Sequence, residues 1–284
     1  MIYDEKYIPF LLHYCQKNKI KILLSFFDMD LLILSQNKQK FIDIGVKVIV
    51  SKEEIIKICN DKWLTYLFLK DNGFSVPQTY LSIDEVISSI NRGEINYPIF
   101  IKPRFGCGSI GIFVADNADE LSLLSNICLQ KIENSYLRFE SSEFDEKVLF
   151  QETLEGEEYG ADVINNLNEE LEQINIRHKI AMRAGETDIA ETVYDDNIHD
   201  TLSKLGLTTK HVANLDVDII LSNKIPYIID LNARFGGGYP FAHIAGCDLP
   251  KAIIKWAKGK KVNKNILKAR LGVKGFKELF VQGK

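Results

Sequence analysis

The sequence predicts a mixed α/β (α+β) protein in two parts, and three observations lead to this prediction. Helical and extended patterns alternate through residues 1–60, which is typical of a parallel α/β layer. Past residue 95 extended segments dominate, and the first two of them flank a glycine-rich loop at 106–111. Towards the carboxyl end a polar turn at 222–224 separates two apolar runs, which predicts an antiparallel hairpin.

The amino-terminal elements follow from local patterns. Residues 7–19 have a helical pattern, and the short apolar runs at 21–27 and 46–50 predict buried strands. Ser51 and Glu54 have the spacing of a capping box, which predicts that a helix begins at Ser51. Two clear strands are few for a free-standing doubly wound domain.

In the rest of the chain, predicted helices and strands alternate less regularly. A helix is predicted over 61–71, because Gly73 and Pro77 follow it as stop signals. Strands are predicted at 97–102, 111–116, 148–154, 159–165, 175–183, 214–221 and 226–234, with helices beginning near 118 and spanning 195–205 and 248–258.

Composition narrows the class of protein. The chain has 284 residues, 46% hydrophobic content and a net charge of −4, which are ordinary values for a soluble globular protein. This charge disfavours nucleic-acid binding, and no apolar run reaches the roughly 18–20 residues that span a membrane. The five cysteines show no CxxC spacing, so we expect neither a zinc site nor a disulfide framework. We therefore expect a reducing, cytoplasmic location.

The glycine loop at 106–111 reads GCGSIG and is flanked by strands on both sides. A dinucleotide fingerprint needs a helix after the glycines, and a phosphate-binding P-loop needs a following Lys-Ser or Lys-Thr, so neither reading fits. Protein kinases also use a glycine loop between strands, but their HRD and DFG triplets are missing. Backbone N–H groups, Ser109, Lys102 and Arg104 can still bind phosphates there. A tight hairpin without a ligand is the alternative.

The hairpin carries an acidic pattern. Asp218 lies near the start of its first strand and Asp230 near the end of its second, so the turn brings them side by side. Asn232 and Asp216 extend the same face by the two-residue period. Oxygen ligands of this kind suit Mg²⁺ held jointly with phosphates, whereas the alternative is a solvated edge hairpin. Arg234 continues the face and can clamp a carboxylate or phosphate, or pair with a nearby aspartate.

Weaker substrate candidates lie on two other segments. Arg177, Lys179 and Arg183 share one face of the strand 175–183 by its period, and can bind phosphate or a carboxylate substrate. Cross-strand pairing of these cations with acids is the equally weighted alternative. In and after the glycine-rich segment 236–240, Tyr239 and His243 are candidates for the acceptor site.

These motifs together resemble the ATP-grasp superfamily, and within it the small carboxylate–amine ligases similar to the carbamoyl phosphate synthase large subunit. The resemblance covers about residues 55–250, with its elements in the expected order. It implies an ATP-grasp fold over 61–284, preceded at 1–60 by a shortened, Rossmann-like pre-ATP-grasp domain. The ATP-grasp domain would then contain a flap subdomain at about 98–150 and a metal-site subdomain at about 151–284.

The resemblance also implies roles for individual residues. Arg234 and Lys102 would be catalytic, and Asp218, Asp230 and Asn232 would be metal ligands, with Asp230 in place of the more common glutamate. The residues implied to bind the nucleotide are Lys62, Lys102, Gly106, Gly108, Ser109, Gln151, Glu152, Thr153, Leu154 and Glu158.

The implied activity is ligation that depends on ATP and Mg²⁺ (or Mn²⁺), in which a carboxylate becomes an acyl phosphate and reacts with an amine or ammonia. Its partners would be a small-molecule carboxylate and amine, with no nucleic acid or membrane. The alternatives are a nucleotide-binding subunit or regulator of a split enzyme, and an ATP-dependent carboxylase or phosphotransferase. The short first domain also suggests a protein partner. This partner would be either a second copy of the chain, in a homodimer, or another chain that supplies the remainder of the first domain.

Overall fold

A computed structural model describes residues 2–106, 110–183 and 185–278. The chain begins as a helical layer around a parallel two-stranded sheet. Its elements are α1 (Tyr7–Lys17), β1 (Ile22–Leu23), α2 (Asp28–Gln36), α3 (Lys38–Asp43), β2 (Lys47–Val48) and α4 (Glu53–Asn60). The predicted strand at 21–27 is therefore much shorter than expected.

The predicted capping box at Ser51 is wrong. The N-cap of α4 is Lys52, which makes no side-chain capping hydrogen bond. The hydroxyl of Ser51 instead accepts a hydrogen bond from the backbone N–H of Val212 at 2.8 Å. Ser51 is thus committed to a long-range contact, which a local capping pattern cannot foresee.

An antiparallel four-stranded sheet and, within the described residues, four helices form the middle of the chain. Its strand order is β3-β6-β4-β5, and β4 and β5 flank the glycine loop as predicted. This part contains α5 (Lys62–Asp71), β3 (Thr79–Tyr80), α6 (Ile83–Asn91), β4 (Ile99–Pro103), β5 (Phe113–Ala115), α7 (Ala118–Glu133), α8 (Leu137–Glu140) and β6 (Val148–Glu152).

An antiparallel six-stranded sheet follows. It contains β7 (Glu157–Asn165), β8 (Leu171–Arg183), β9 (Glu186–Val193), α9 (Asp196–Thr209), β10 (Ala213–Ser222), β11 (Ile225–Asn232), α10 (Tyr239–Ile244), α11 (Leu249–Ala257), a 3₁₀ turn (Lys264–Leu267) and β12 (Lys274–Phe276). The strand order is β11-β10-β7-β8-β9-β12. Asn223 and Lys224 both have positive φ in the tight turn between β10 and β11, which confirms the predicted hairpin.

The cores show how these parts pack. One continuous apolar core joins the amino-terminal helices to the six-stranded sheet, and it includes Phe41, Ile56, Val217 and Leu231. The four-stranded sheet has its own core with α6, α7 and α8. The first of these cores contains residues from both sides of residue 60. The domain boundary predicted at that position therefore stays a prediction. No helix within the described residues is long and apolar enough to cross a bilayer.

A buried ion pair joins α5 to β4, and its removal gives a first testable prediction. The Asp61 carboxylate caps α5 by accepting from the N–H of Trp63 at 2.9 Å, and it also accepts two hydrogen bonds from Arg104 at 2.9 and 2.8 Å. Asp61→Ala should lower the free energy of unfolding by about 3–5 kcal/mol, because Arg104 stays buried without its counter-charge. Urea denaturation measures this loss.

The matched control is Asp248→Ala. Asp248 caps α11 by accepting from the N–H of Lys251 at 3.1 Å, and the structure gives it no buried arginine partner among the described residues. Loss of such a cap alone should cost about 1 kcal/mol. If the free energy of unfolding fell equally in the two variants, the ion pair with Arg104 would add no stability beyond that of the helix cap.

Candidate active site

A cavity of about 500 Å³ lies between the four-stranded and the six-stranded sheets. Its walls bring together most of the predicted site residues, which come from distant parts of the sequence. The predicted residues that line it are Lys62, Lys102, Gly106, Gln151, Glu152, Leu154, Glu158, Arg177, Lys179, Asp216, Asp218, Asp230, Asn232 and Arg234. Gly108 and Ser109 lie outside the described residues.

The acidic hairpin forms one wall of this cavity. In the register of β10 and β11, Asp218 lies directly opposite Asp230, and Asp216 lies opposite Asn232. Like charges opposite each other destabilise a sheet, so each carboxylate needs a counter-charge. Lys62 supplies one to both oxygens of Asp230 at 2.8 Å, and Lys179 supplies one to Asp218 at 2.6 Å. The hairpin thus faces a charged cleft, not bulk water alone.

These ion pairs change the acidity of the groups involved. Burial alone would raise the pKa of Asp218, but the charge and hydrogen bond of Lys179, with the charges of Arg177 and Lys62, lower it. Burial alone would lower the pKa of Lys62, but the charge and hydrogen bond of Asp230 raise it. Asp218 is therefore ionised at neutral pH, and both Asp218 and Asp230 are paired with a lysine.

The oxygen donors of the hairpin suit a divalent cation only if a bound ligand supplies further oxygen atoms to its coordination shell. Across residues 2–106, 110–183 and 185–278, no group of three or more His, Cys, Asp or Glu side chains is placed to hold a metal ion. Two carboxylates and one amide oxygen are instead what Mg²⁺ uses when phosphates complete its coordination. The roles of Asp218, Asp230 and Asn232 as metal ligands stay predictions.

Lys102 on β4 lies in the opposite wall. Its side chain is 7% exposed and donates a hydrogen bond to Oε1 of Gln151 at 2.9 Å. Gln151 in turn donates to the hydroxyl of Thr79 at 2.8 Å, which fixes the orientation of its amide. Burial and the nearby charge of Lys62 lower the pKa of Lys102 to about 8. Its hydrogen-bond partner is an amide, so its positive charge is available to an anion in the cavity.

A network of buried ion pairs connects the hairpin to neighbouring elements. The guanidinium of Arg177 donates hydrogen bonds to Asp162 at 2.7 Å and to Asp216 at 2.6 Å. Burial raises the pKa of Asp216 to about 6, although the charge of Arg177 acts to lower it. Arg234 reaches Asp216 at 3.3 Å and Asp28 of α2 at 3.0 Å. Arg177, Lys179 and Arg234 thus pair with nearby acids, as the alternative interpretations expected, and all three also line the cavity, so their roles toward a substrate stay predictions.

Asp28 and Asp162 belong to this network but were not predicted from the sequence. Asp162 is fully buried in the apolar strand β7, and an isolated acid in such a strand is a signal that it has a buried counter-charge. Asp28 begins α2, and nothing local distinguishes it from an ordinary acid in the first turn of a helix.

Five candidate residues within the described part of the chain do not line this cavity, namely Arg104, Thr153, Arg183, Tyr239 and His243. Arg183 was expected to share a face with Arg177, but register shifts on either side of Ala181 break the alternation, and Arg183 pairs with Asp188 at 2.6 Å. Tyr239 donates its hydroxyl to the carbonyl of Cys247 at 2.9 Å. The hydroxyl of Thr153 is buried with no hydrogen-bond partner among the described residues. His243, the other candidate for the acceptor site, is likewise not among the residues that line the cavity.

The three glycines at 236–238 let the backbone lie directly on the charged network. A Cβ atom at Gly236 would collide with the Asp216 carboxylate, and one at Gly238 would collide with the Arg177 guanidinium. At Gly237 the nearest atom to such a Cβ is Nζ of Lys277 at 3.6 Å, which is an ordinary contact. The first and third glycines are therefore required by close packing.

Alanine substitutions along this segment give a second prediction. Gly236→Ala should lower the melting temperature by several degrees, since overpacking against a buried ion pair costs about 1–3 kcal/mol. Gly237→Ala is the matched control, and we expect its melting temperature to stay within about 2 °C of the unmodified protein. Equal melting temperatures for both variants would contradict the packing described here. Differential scanning calorimetry provides the measurement.

Known families and proteins match parts of this chain. The family described as "ATP-grasp domain" matches residues 59–238, and the family described as "PylC-like, N-terminal domain" matches residues 1–49. The vancomycin/teicoplanin A-type resistance protein VanA of Enterococcus faecium is 28% identical over 130 residues, which are 43% of this chain and 33% of that protein. The D-alanine–D-alanine ligase A of Bacillus cereus is 22% identical over 192 residues, which are 63% and 58%. This chain thus spans 33% and 58% of the lengths of these relatives.

Solved structures show the same fold at low identity. The biotin carboxylase–β,γ-ATP complex from Campylobacter jejuni superposes with a TM-score of 0.75 at 17% identity, over 93% of this chain and 60% of that one. The D-alanine–D-alanine ligase from Bacillus anthracis complexed with ATP gives a TM-score of 0.61 at 18% identity, over 88% and 83%. This chain therefore has the fold of these enzymes.

Proposed function

Because this chain belongs to the ATP-grasp family and has the ATP-grasp fold, we propose that it is an ATP-dependent carboxylate–amine ligase. The observation that carries the proposal is that Lys102 and the Asp218–Asp230 pair face the same cavity from opposite sheets. The D-alanine–D-alanine ligases among its relatives join two amino acids by this class of reaction, which supports the choice of ligation.

The nucleotide would occupy the cavity between the two sheets. Apolar side chains such as Phe100, Ile112 and Ile220 line part of it and suit a flat base, while the backbone around Gln151–Leu154 would bind the edge of the adenine. Glu158 would accept hydrogen bonds from the ribose hydroxyls. Lys102 would pair with the phosphates as a point charge.

Asp218, Asp230 and Asn232 would hold Mg²⁺, which when bound would neutralise phosphate charge. The same carboxylates now pair with Lys62 and Lys179. With a divalent cation bound at these carboxylates, the ammonium groups of Lys62 and Lys179 would be available to the phosphates. We therefore expect Lys62 and Lys179 to exchange carboxylate partners for phosphate partners when the nucleotide binds.

The reaction needs two displacements, and the chain contributes position and charge to both. A carboxylate oxygen of the substrate attacks the γ-phosphorus and ADP leaves, which gives an acyl phosphate. The amine then attacks the acyl carbon, phosphate leaves and the amide forms. Arg234, whose guanidinium is held by Asp28 and Asp216, would contribute positive charge near the substrate carboxylate.

A product screen tests this function. The protein with Mg²⁺ and ATP is supplied with pooled amino acids, small carboxylates and amines, and ADP, phosphate and product masses are measured. We expect ADP, phosphate and an amide in equal amounts for at least one pair. ATP binding with no ADP release from any pair would indicate a nucleotide-binding subunit, and release that requires bicarbonate without an amine would indicate a carboxylase.

The lowered pKa of Lys102 gives a third prediction, on pH. Lys102 is protonated below its pKa of about 8 and loses its charge above it. The dissociation constant of the Mg²⁺–nucleotide complex should therefore be nearly flat below pH 8 and then rise by up to about tenfold per pH unit. Calorimetric titration between pH 6.5 and 9.5 measures it. Lys102→Met should bind weakly at every pH without this break, and a flat profile for the unmodified protein would contradict the prediction.

A further inference from the structure

A hydrogen-bond relay begins at the carbonyl of Pro77 and ends at Lys102. The hydroxyl of Thr79 on β3 donates to this carbonyl at 3.0 Å and accepts from the side-chain amide of Gln151 on β6 at 2.8 Å. The amide oxygen of Gln151 then accepts from Nζ of Lys102 on β4 at 2.9 Å. The side chains of Thr79, Gln151 and Lys102 are all buried, so water does not compete for these bonds.

The strand register brings the three side chains together. Thr79 lies directly opposite Gln151 in the pairing of β3 with β6, and Gln151 lies opposite Phe100 in the pairing of β6 with β4. Lys102 is two residues beyond Phe100 and therefore shares its face of the sheet. Opposite and diagonal neighbours on one face are within reach of long side chains. The relay is thus built into the sheet and needs no loop to complete it.

Each hydrogen bond in the relay has a fixed direction. The carbonyl of Pro77 can only accept, so the single hydrogen of the Thr79 hydroxyl points towards it. A lone pair of this hydroxyl then faces Gln151, which must present its NH₂ group. The amide oxygen consequently faces Lys102, whose ammonium group can only donate. Thr79 therefore helps to determine which end of the Gln151 amide meets Lys102.

The relay also determines what Lys102 can offer to a ligand. An ammonium group has three donors on a flexible stem, and Gln151 is the hydrogen-bond partner that the structure gives Nζ among the described residues. Two donors are therefore left for the cavity, which Lys102 lines. Hydrogen bonds in a row polarise one another, so the bond from Gln151 to Thr79 strengthens the amide oxygen as an acceptor.

We propose that Thr79 is a positioning residue of the ligation reaction, which acts through Gln151 to hold Lys102 at the nucleotide phosphates. Thr79 does not line the cavity, so it would contact neither the nucleotide nor the substrates. This role rests on the proposed function, because it takes Lys102 as the residue that neutralises phosphate charge. The effect of Thr79 on Lys102 itself can be measured without turnover.

Thr79→Val tests the role in catalysis, because valine keeps the shape of the side chain and removes the hydroxyl. The NH₂ group of Gln151 then loses its acceptor and the amide can rotate, so kcat for ADP release should fall roughly fivefold to tenfold. The KM for the carboxylate substrate should stay within about twofold. Thr79→Ser keeps the hydroxyl and should restore kcat to within about twofold of the unmodified protein. Steady-state kinetics measures these constants.

The pKa of Lys102 is a readout that a loss of packing alone would not change. Burial and the charge of Lys62 lower it to about 8, and the charges of Asp230 and Asp218 oppose this shift. These charges remain in Thr79→Val, whereas the fixed amide oxygen that favours the ammonium form is lost. We expect the pKa of Lys102 to fall by roughly half to one pH unit in Thr79→Val and to recover in Thr79→Ser.

An NMR titration of the Lys102 side chain in the nucleotide-free protein measures this pKa, and Lys102→Met assigns the signal. Gln151→Glu provides a second variant with an effect of opposite sign. A carboxylate beside Lys102 favours its charged form, so the pKa of Lys102 should rise. A pKa that does not rise in Gln151→Glu would show that position 151 does not act on Lys102, and would overturn the proposal.

The matched control is Thr192→Val. Thr192 is a buried strand residue on β9 whose hydroxyl donates to the carbonyl of Arg270 at 2.6 Å and accepts from the N–H of Val273 at 3.0 Å. It does not line the cavity. Thr192→Val should lower the melting temperature, as Thr79→Val does, but should leave kcat and the pKa of Lys102 unchanged. Equal shifts of this pKa in the two variants would overturn the proposal.

The remaining outcomes separate the role of Thr79 from the ligase function. An unchanged pKa of Lys102 in Thr79→Val overturns the proposal whether or not kcat falls, and it leaves the ligase function intact if the unmodified protein forms an amide. If no acid and amine give ADP release, but the pKa falls in Thr79→Val and recovers in Thr79→Ser, then Thr79 does position Lys102 and the ligase function is wrong.

Discussion

Lys102→Met is expected to reduce ADP release by at least about 100-fold while leaving the protein as stable as before, or more stable. Removing a preorganised donor to a developing charge typically costs about 2.7–4 kcal/mol in the transition state. Burial lowers the pKa of Lys102 to about 8, so its charged form is disfavoured by folding at neutral pH. Methionine of similar length relieves that cost. Steady-state kinetics and thermal unfolding measure the two effects.

Lys147→Met is the control for this variant. Lys147 directly precedes β6 in the same sheet and pairs with Glu133 at 2.7 Å on the surface, away from the residues that line the cavity. It should keep full activity. Activity of Lys102→Met within about tenfold of the unmodified protein would show that Lys102 does not neutralise charge in the reaction.

Asp230→Asn should also reduce ADP release by at least about 100-fold, but with the opposite effect on stability. The change removes a carboxylate proposed to hold the metal and keeps the shape of the side chain, so the requirement for Mg²⁺ should rise as activity falls. It also leaves the buried ammonium of Lys62 without its counter-charge. We therefore expect the free energy of unfolding to fall by roughly 1–3 kcal/mol.

Asp188→Asn is the control for this second variant. Asp188 pairs with Arg183 at 2.6 Å and does not line the charged cavity. It should leave both activity and the Mg²⁺ requirement unchanged. If Asp230→Asn turned over at the normal rate with the normal Mg²⁺ requirement, Asp230 would not be a metal ligand.

The sequence was informative wherever the determining contacts are local. The two-residue period and the short polar turn were enough to place Asp218 opposite Asp230, because an antiparallel hairpin fixes the register of its own strands. The two strands that flank the glycine loop could be predicted for the same reason. These two features were also what carried the resemblance to the ATP-grasp family.

Contacts between distant segments were not predictable from one sequence. Arg234 and Asp28 are separated by 206 positions, and their pairing depends on how the first helical layer packs on the six-stranded sheet. Ser51 bonds to Val212 rather than capping its own helix for the same reason. The prediction for Arg183 was wrong for another reason, because shifts of the strand register at Ala181 changed the face on which Arg183 lies, and no residue in the sequence marked these shifts.

The central claim is that one nucleotide and its metal lie between Lys102 and the acidic hairpin. A crystal structure with Mn²⁺ and a non-hydrolysable ATP analogue tests it most directly, because Mn²⁺ can be located by its anomalous scattering. We expect an anomalous peak at the carboxylates of Asp218 and Asp230, with the phosphates within hydrogen-bonding distance of Nζ of Lys102. A nucleotide bound elsewhere, with Lys62 and Lys179 still paired to these carboxylates, would contradict it.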